Sequence, residues 1–361
     1  MPIGKPISFE GDILRLEPDA FGFFYCKITS PEYLEHPILQ RRVKTNNGIR
    51  TIAGLGTWDG WIFSEEMKNA IKYGYEFEVI RGYQFEKGNL FKDYVEKMYN
   101  LRLQFDKSHP MNLIAKLLLN SLYGRYGMKP SFTRVDLYDC STDEGKKDLQ
   151  EDIEIFGESI EDYIQIDETF LIVRNTLGNM KYNDDEDFYY GVEVNIAIAS
   201  AVTSYARMYM TPFKNNSDYN LYYSDTDSII IDKELSSDIV GNKLGQLKLE
   251  HVCDQAVFLA PKVYGLITDK GDKIIKIKGI THEVANSLEI SDLERLLIKD
   301  SSREFTQEKW YKKVFDGTIN IKDVVYTLKV TSNKRAPIYE NNILNSTRPF
   351  NYNEIKKDNN S

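Results

Sequence analysis

The stretch Leu221-Tyr-Tyr-Ser-Asp-Thr-Asp-Ser-Ile-Ile-Ile231 places two carboxylates, Asp225 and Asp227, inside an otherwise apolar run. Two short apolar segments that flank an acidic tight turn predict a β-hairpin. The carboxylates stand at positions i and i+2, so they project from the same face and can share a hard divalent cation such as Mg²⁺. An Asp-X-Asp pattern alone fits a polar turn without a metal equally well. The apolar flanks favour the cation, because uncompensated charge in apolar surroundings is costly.

A helical hairpin is predicted upstream of this turn. Apolar residues recur every three or four positions through its first helix, at Leu90, Tyr94, Met98, Leu101 and Phe105. The segment Ser108-His109-Pro110 interrupts the pattern, and proline suits the first turn of a new helix. The second helix is expected to run from Met111 to about Tyr123 and to stop at Gly124 and Gly127.

One polar stripe lies along that second helix. Lys116, Asn120 and Tyr123 fall at positions i, i+4 and i+7, opposite a face made of Leu118, Leu119 and Leu122. A cation, an amide and an aromatic ring suit a phosphate, a sugar edge and a base respectively. The alternative is an ordinary amphipathic helix with a solvated face.

A third pattern is a basic sheet face near residue 270. Val263 to Thr268 and Lys273 to Lys278 predict a β-hairpin. Lys262 and Tyr264 alternate on its first strand, and Lys276 and Lys278 on its second, with Ile275 and Ile277 on the opposite face. Such a face could follow a phosphate backbone, although exposed lysines on a two-layer sheet are common.

The net charge of the whole chain, taken alone, argues against a polyanionic partner. The 361 residues carry 46 Lys and Arg against 55 Asp and Glu, a net charge of −9. The segment from Asp136 to Phe188 alone carries −13, which leaves +4 for the rest of the chain. The segment from Lys87 to Lys129, which includes the helical hairpin, carries +5. We therefore interpret the acidic segment as an inserted, solvent-facing subdomain with a small β element.

Several classes of protein are excluded or disfavoured. Cys26, Cys140 and Cys253 are far apart and form no Cys-X-X-Cys pair, so a disulfide framework or structural zinc site is not expected. No apolar run approaches 18 residues, and no membrane partner is expected. The amino terminus has neither a secretory signal nor an Arg-rich transit peptide. The composition, with 24 Tyr and three Trp, is typical of an AT-rich coding genome.

Together and in this order, the patterns resemble family B DNA polymerases. Lys116-Leu-Leu-Leu-Asn-Ser-Leu-Tyr-Gly124 is similar to the KxxxNSxYG motif, Tyr223-Ser-Asp-Thr-Asp-Ser228 to YxDTDS, and Lys262-Val-Tyr264 to KxY. The full NSLYG form and the helix start Phe91-Lys-Asp-Tyr94 most resemble the protein-primed branch of bacteriophages, adenovirus and mitochondrial linear plasmids. The resemblance is weakest over the acidic segment and the last 75 residues.

The resemblance implies an α+β fold of the right-hand polymerase type. It would have a palm with an antiparallel sheet, fingers made of a helical hairpin, inserted subdomains and a small thumb. The expected boundaries are palm edge and first terminal-protein-type insertion 1–86, fingers 87–127, acidic second insertion 128–188, palm 189–285, and thumb and tail 286–361.

The resemblance also implies roles for individual residues. Asp225 and Asp227 would bind Mg²⁺ for two-metal phosphoryl transfer, in which one ion activates the primer 3′-hydroxyl. Lys116 and Arg102 would reach the incoming deoxynucleoside triphosphate, beside which Asn120 and Tyr123 would contact the nascent base pair. Contacts with primer-template DNA are expected from Lys262, Tyr264, Lys276, Lys278 and Tyr223. A terminal priming protein is a further expected partner. The mitochondrion is the expected compartment, and a cytoplasmic element or a phage is the alternative.

One departure from the family separates three hypotheses. The first palm motif, an Asp followed by Ser-Leu-Tyr-Pro, does not occur, so the chain is expected to begin just after it and to lack one metal carboxylate. The first hypothesis is the carboxy-terminal part of a DNA polymerase. The second is a DNA-binding or terminal-protein-binding remnant without catalysis. The third is a glycosyltransferase that uses its Asp-X-Asp with a nucleotide sugar, which would leave the NSLYG motif and the lysine pairs unexplained.

Overall fold

The computed structural model describes residues 1–45, 48–128, 132–157, 160–177, 194–313 and 318–353. Its strands, in chain order, are β1 (Pro2–Glu10), β2 (Gly22–Thr29), β3 (Arg41–Thr45), β4 (Gly48–Ile52), β5 (Thr57–Phe63), β6 (Glu76–Lys87), β7 (Phe132–Asp139), β8 (Ile160–Gln165), β9 (Phe170–Leu177), β10 (Leu221–Asp225), β11 (Ser228–Ile231), β12 (Cys253–Ala260), β13 (Val263–Thr268), β14 (Lys273–Ile277), β15 (Arg303–Lys313), β16 (Thr318–Leu328), β17 (Ala336–Glu340) and β18 (Ile343–Arg348). Its helices are α1 (Ser64–Ile71), α2 (Lys92–Leu103), α3 (Pro110–Tyr126), α4 (Asp143–Phe156), α5 (Ile196–Lys214), α6 (His282–Ser287) and α7 (Ile290–Arg295). Within these ranges no helix is both long and apolar enough to cross a bilayer.

The chain divides into two compact units. The first comprises Met1–Gln104, Ser200–Gln307 and Val325–Ser361, and the second comprises Phe105–Ala199 and Glu308–Val324.

The first unit contains an antiparallel sheet in the order β1-β6-β2-β5. Alternation along β2 buries Phe24, Cys26 and Ile28 on one face. Helix α1 packs on that face through Met67 and Ala70. Short apolar runs broken by Gly and Pro predict strands and turns in the first 85 residues. The strands are present and surround one of the hydrophobic cores of this unit, whereas helix α1 was not predicted.

The end of the described chain is fixed to this core by Tyr352, whose side chain is 2% exposed. Its ring packs edge-on against Trp58, with the centroids 4.9 Å apart. Its hydroxyl donates to the Ile52 carbonyl at 2.9 Å and accepts from the Gly54 amide at 3.0 Å. A Cβ at Gly54 would meet the Phe350 carbonyl at 2.8 Å, so only glycine allows this close approach.

A second core lies under the antiparallel sheet β12-β13-β14. Leu288, at the end of α6, and Leu293, on α7, are completely buried against it. A Cβ at Gly265 of β13 would lie 2.6 Å from Cδ1 of Ile290, so the helix approaches the sheet at a glycine. This core supports the strands that carry the predicted basic face.

Helix α5 is anchored by a buried ion pair within the first unit. Glu66 is 6% exposed and accepts two hydrogen bonds from Arg207, at 2.5 and 2.7 Å, and one from Ser204 Oγ at 2.8 Å. The sequence predicts a buried helix from about residue 192 to Met210. The observed helix extends to Lys214, and residues 192 and 193 lie outside the described residues.

The second unit contains α3, whose start agrees with the sequence and whose end does not. His109 caps the helix, with its Nδ1 accepting from the Met111 amide at 3.1 Å, and Pro110 occupies the first turn. The helix continues through Gly124 to Tyr126, and Gly127 is its C-cap, so of the two glycines expected to stop the helix Gly127 does so and Gly124 does not. A single glycine costs a helix only about 1 kcal/mol, which flanking good helix formers offset.

The described part of the acidic segment forms a three-stranded antiparallel sheet, in the order β7-β9-β8. The small β element is thus present. Helix α4, which the sequence analysis missed, lies between β7 and β8, and Thr142 Oγ1 caps it by accepting from the Gly145 amide at 3.0 Å. Residues 178–188 of the segment lie outside the described residues.

The Glu66–Arg207 pair generates the first prediction. We expect Glu66→Gln to lower the free energy of unfolding by about 2 kcal/mol, because it leaves a partly buried guanidinium without its counterion. Chemical denaturation followed by tryptophan fluorescence measures the change. Arg15→Gln, which removes an exposed ion pair with Asp12, is the control and should cost less than about 0.5 kcal/mol. Equal effects of the two variants would contradict the anchoring role.

Candidate active site

The acidic turn forms as a tight hairpin between β10 and β11. Asp225 pairs with Ser228, and the Ser228 hydroxyl donates to the Asp225 carbonyl at 3.0 Å. Thr226 adopts a left-handed conformation with φ of +54°. Asp225 therefore ends β10, and Asp227 lies in the tight turn that the sequence predicts between the two strands.

Both carboxylates nevertheless line one cavity of about 550 Å³. Its other lining residues belong to the acidic turn and to the β12-β13-β14 sheet: Tyr223, Thr226, Ser228, Lys262, Tyr264, Lys276, Ile277 and Lys278. Two motifs that lie about forty residues apart in sequence thus contribute side chains to the same space.

Lys262 connects the two motifs. Its ammonium forms an ion pair with Asp225 Oδ2, and its backbone amide donates to the Tyr223 hydroxyl at 2.9 Å. The prediction that Lys262 lies on a strand is wrong. It lies in the turn before β13 with φ of +63°, a conformation that these two contacts stabilise.

The ion pair decides the charge of Asp225. Partial burial raises the pKa of this carboxyl. Hydrogen bonds from Lys262 and Thr226, together with the charges of Lys262 and Lys214, lower the pKa by more than burial raises it. The pKa of Asp225 therefore lies below its ordinary value. The hydrogen bond with Asp225 in turn raises the pKa of the Lys262 ammonium. Both groups are therefore ionised at neutral pH.

Aromatic rings pack together beside the cavity. Tyr223 lies 5.0 Å from Tyr264 and stacks on Phe258 at 5.7 Å, measured between centroids. Phe258, on β12, was missed by the sequence analysis because an apolar residue in a strand carries no functional signal. The cluster holds the phenol rings of the YxDTDS and KxY motifs in a fixed orientation.

Lys276 and Lys278 stand exposed beside the buried Ile277, as the alternation predicts. The Lys278 amide donates to the Lys262 carbonyl at 2.9 Å, which ties the end of β14 to the turn before β13. The basic face is therefore present and opens onto the carboxylates.

Two further cations that belong to no motif interact electrostatically with Asp225. Lys214, at the end of α5, is half-buried, and its positive charge acts on Asp225. Lys334, between β16 and β17, is under the influence of the charges of both Asp225 and Lys262. Sequence analysis missed both lysines, and no spacing or composition signal marks either of them.

The predicted nucleotide-binding residues occupy both units. Lys116, Asn120 and Tyr123 are exposed along α3 in the second unit. Leu118, on the face opposite this stripe, is 42% exposed. Arg102 is half-buried on α2, in the first unit.

The donor chemistry suits Mg²⁺. Asp227 is exposed and accepts no hydrogen bond from the described residues, so its oxygens are available to a cation. The described ranges contain no group of three or more His, Cys, Asp or Glu side chains placed to hold a metal. Two carboxylates fit an ion that completes its shell with water and substrate phosphates, which is the usual arrangement for Mg²⁺.

Two curated relatives match nearly the whole chain. A protein named probable DNA polymerase from Ascobolus immersus is 36% identical over 97% of the chain and 28% of its own length. Another of that name, from Neurospora intermedia, is 37% identical over 90% of the chain and 33% of its own length. The chain thus spans about a third of the length of these relatives.

The fold agrees with that of a solved polymerase. The structure of phi29 DNA polymerase with primer-template DNA and incoming nucleotides matches with a TM-score of 0.61, at 21% identity, over 92% of this chain and 55% of that one. The expected α+β polymerase fold is therefore confirmed.

The family described as DNA polymerase type B, organellar and viral, matches residues 1–220. This match covers more than half of the chain and includes the NSLYG helix, and the YxDTDS turn begins three residues after it. The chain belongs to the organellar and viral type B DNA polymerase family.

Proposed function

We propose that the chain carries the polymerase centre of a DNA-directed DNA polymerase, which adds deoxynucleotides to a primer 3′-end. The observation that supports this most directly is the single cavity lined by Asp225, Asp227, Lys262 and Tyr264. Carboxylates for a cation and lysines for phosphates are what phosphoryl transfer requires, because its catalysis consists mainly of positioning and charge stabilisation.

Asp225 and Asp227 would hold Mg²⁺ in this proposal. The ion would activate the primer hydroxyl and neutralise charge on the phosphates, and a pair of ions would do both. The low pKa of Asp225 keeps its carboxylate ready for a cation at neutral pH. Lys262, released from Asp225 when the cation binds, would pair with a primer phosphate.

The helix α3 would supply the nucleotide-binding side chains. Lys116 would bind the triphosphate together with Arg102, and Asn120 and Tyr123 would contact the nascent base pair. The exposure of the three α3 side chains supports this role, because each is accessible to a ligand.

The biological setting is also proposed. We propose replication of a small linear plasmid-like element with a terminal priming protein, which the resemblance of the NSLYG and Phe91–Tyr94 segments to the protein-primed branch supports. Relatives named as DNA polymerases occur in fungi and in bacteriophages, as this setting requires. Within that setting we propose the mitochondrion as the compartment. The segment 1–86 would comprise the palm edge and the first terminal-protein-type insertion, and the segment 128–188 would be the second insertion, which serves processivity and strand displacement.

A second candidate is a DNA-binding protein without catalysis. The observation in its favour is that the described residues place two carboxylates, and no third ligating side chain, at the cavity. Membership of the type B DNA polymerase family excludes the glycosyltransferase hypothesis.

Primer extension separates the two candidates. We expect the chain to incorporate deoxynucleotides with Mg²⁺, and Asp227→Asn to lower the rate about 10³-fold, since ligation of the cation is worth several kcal/mol. Asp232→Asn is the matched control, because this exposed carboxylate follows the same hairpin and binds Asn220 outside the cavity. DNA binding by the wild-type chain without any incorporation would favour the second candidate.

The role of α3 is tested by Lys116→Gln. We expect the KM for the deoxynucleoside triphosphate to rise about 10-fold or more, through loss of a charge-assisted hydrogen bond, with DNA affinity unchanged. Arg125→Gln is the control, because Arg125 lies nine positions further on and therefore about 180° around the helix. Steady-state kinetics measure both variants, and a fall in DNA affinity with constant KM would refute the assignment.

A further inference from the structure

The lysines of the cavity are attached to a neighbouring two-stranded sheet. Strands β15 and β16 pair with each other, and each directs one polar side chain at the turn that follows β14. These side chains are Gln307, on β15, and Tyr326, on β16. The turn begins at Lys278, whose side chain lines the cavity together with Asp225 and Asp227.

Tyr326 contacts this turn through both its hydroxyl and its ring. The hydroxyl donates to the Lys278 carbonyl at 3.0 Å. The ring lies against Gly279, where an added Cβ would be 3.1 Å from Cε2 of the ring. Gly279 has a φ of +98°, so the chain turns in a left-handed conformation directly after Lys278.

Gln307 binds the same turn with both ends of its amide. Its Nε2 donates to the Gly279 carbonyl at 2.9 Å, and its Oε1 accepts from the Thr281 amide at 2.8 Å. The side chain is 4% exposed. Because an unpaired buried amide is costly, these two hydrogen bonds resist any movement of the turn.

Lys278 connects the turn to the carboxylates. Its amide donates to the Lys262 carbonyl at 2.9 Å, and the Lys262 ammonium pairs with Asp225. Contacts thus run without a gap from Tyr326 to Asp225. Both backbone polar groups of Lys278 are held by hydrogen bonds, whereas its side chain is exposed and lines the cavity.

Such a fixed backbone matters for a lysine in particular. Lysine binds phosphate as a point charge on a flexible stem, so the position of its backbone limits where the ammonium can reach. Displacement of a supporting group by about 1 Å is enough to impair a site. Tyr326 packs against the second core together with the buried Leu328, so β16 is itself firmly supported.

We propose that Tyr326 is a positioning residue for DNA binding, which holds Lys278 where its ammonium meets a phosphate of the bound DNA. The inference rests on the proposed function, because it is this function that assigns DNA to the lysines of the cavity. In this role Tyr326 does not contact DNA and acts only through the backbone of Lys278.

The test uses Tyr326→Phe, which keeps the ring at Gly279 and removes the hydroxyl. Fluorescence anisotropy with a labelled primer-template, without Mg²⁺ or nucleotide, gives the affinity over a range of salt concentrations. We expect about a 5-fold loss of affinity at fixed salt, the size of one net hydrogen bond. Tyr33→Phe is the matched control, because that hydroxyl donates to the Tyr73 carbonyl at 3.2 Å outside the cavity, and it should leave the affinity unchanged.

Combination with Lys278→Gln shows whether Tyr326 acts through Lys278. Lys278→Gln alone should lower the slope of log affinity against log salt by about 0.9, the value for one phosphate contact. In that background Tyr326→Phe should cause no further loss of affinity, because the charge that it positions is gone. Equal losses in the two backgrounds would overturn the inference.

A second variant strains the turn from its other side. Gly279→Ala places a methyl group against the Tyr326 ring at a left-handed position. We expect it to lower the affinity by at least as much as Tyr326→Phe, and its effect on affinity should likewise vanish in the Lys278→Gln background. Thermal denaturation of each variant accompanies the binding curves. A lower midpoint with the same loss of affinity in both backgrounds would assign Tyr326 a structural role alone and would refute the proposal.

The remaining outcomes separate this inference from the proposed function. If the wild-type chain shows no salt-dependent DNA affinity, both fail. If the wild-type chain binds DNA and Tyr326→Phe keeps its affinity, or Lys278→Gln keeps its slope, the proposed function stands and the inference fails. Because the measurement is binding, DNA affinity without incorporation would count against the polymerase and would leave the loss caused by Tyr326→Phe to decide the inference.

Discussion

Two carboxylates at one tight turn require a positive charge nearby, because uncompensated charge in partly buried surroundings is costly. The Lys262–Asp225 ion pair meets that requirement most directly. To reach Asp225, Lys262 adopts a left-handed turn, and its amide is held by the Tyr223 hydroxyl. The ring of Tyr223 is in turn stacked on Phe258. The geometry of the KxY turn is thus a consequence of the acidic hairpin that it faces.

How much of this could be predicted depends on the sequence distance over which each feature is determined. The β10–β11 hairpin and the start of α3 depend on residues a few positions apart, so apolar periodicity and Pro110 were enough to find them. The turn position of Lys262 depends on Tyr223, 39 residues away, and no local signal predicts it. Helix α4 was missed because its many acidic residues indicated solvent exposure more strongly than they indicated a helix.

The attachment of Tyr352 lies at the far end of this range. Its hydrogen bond with the Ile52 carbonyl spans 300 positions. No local pattern in the sequence predicts that bond, and only the tertiary structure shows that the Tyr352 ring packs against Trp58.

The net charge of −9 does not describe the electrostatic field at the cavity. Electrostatic attraction depends on the local field, because a charge more than about 10 Å away is largely screened at 0.1 M salt. The cavity around Asp225 and Asp227 is lined by Lys262, Lys276 and Lys278, whereas the whole of the net acidic excess belongs to the segment 136–188. A cation bound to the two carboxylates would remove the main negative charge of the cavity and leave its lysines uncompensated. On the proposed function, metal binding and phosphate binding therefore favour each other, and by thermodynamic linkage each must strengthen the other by the same factor.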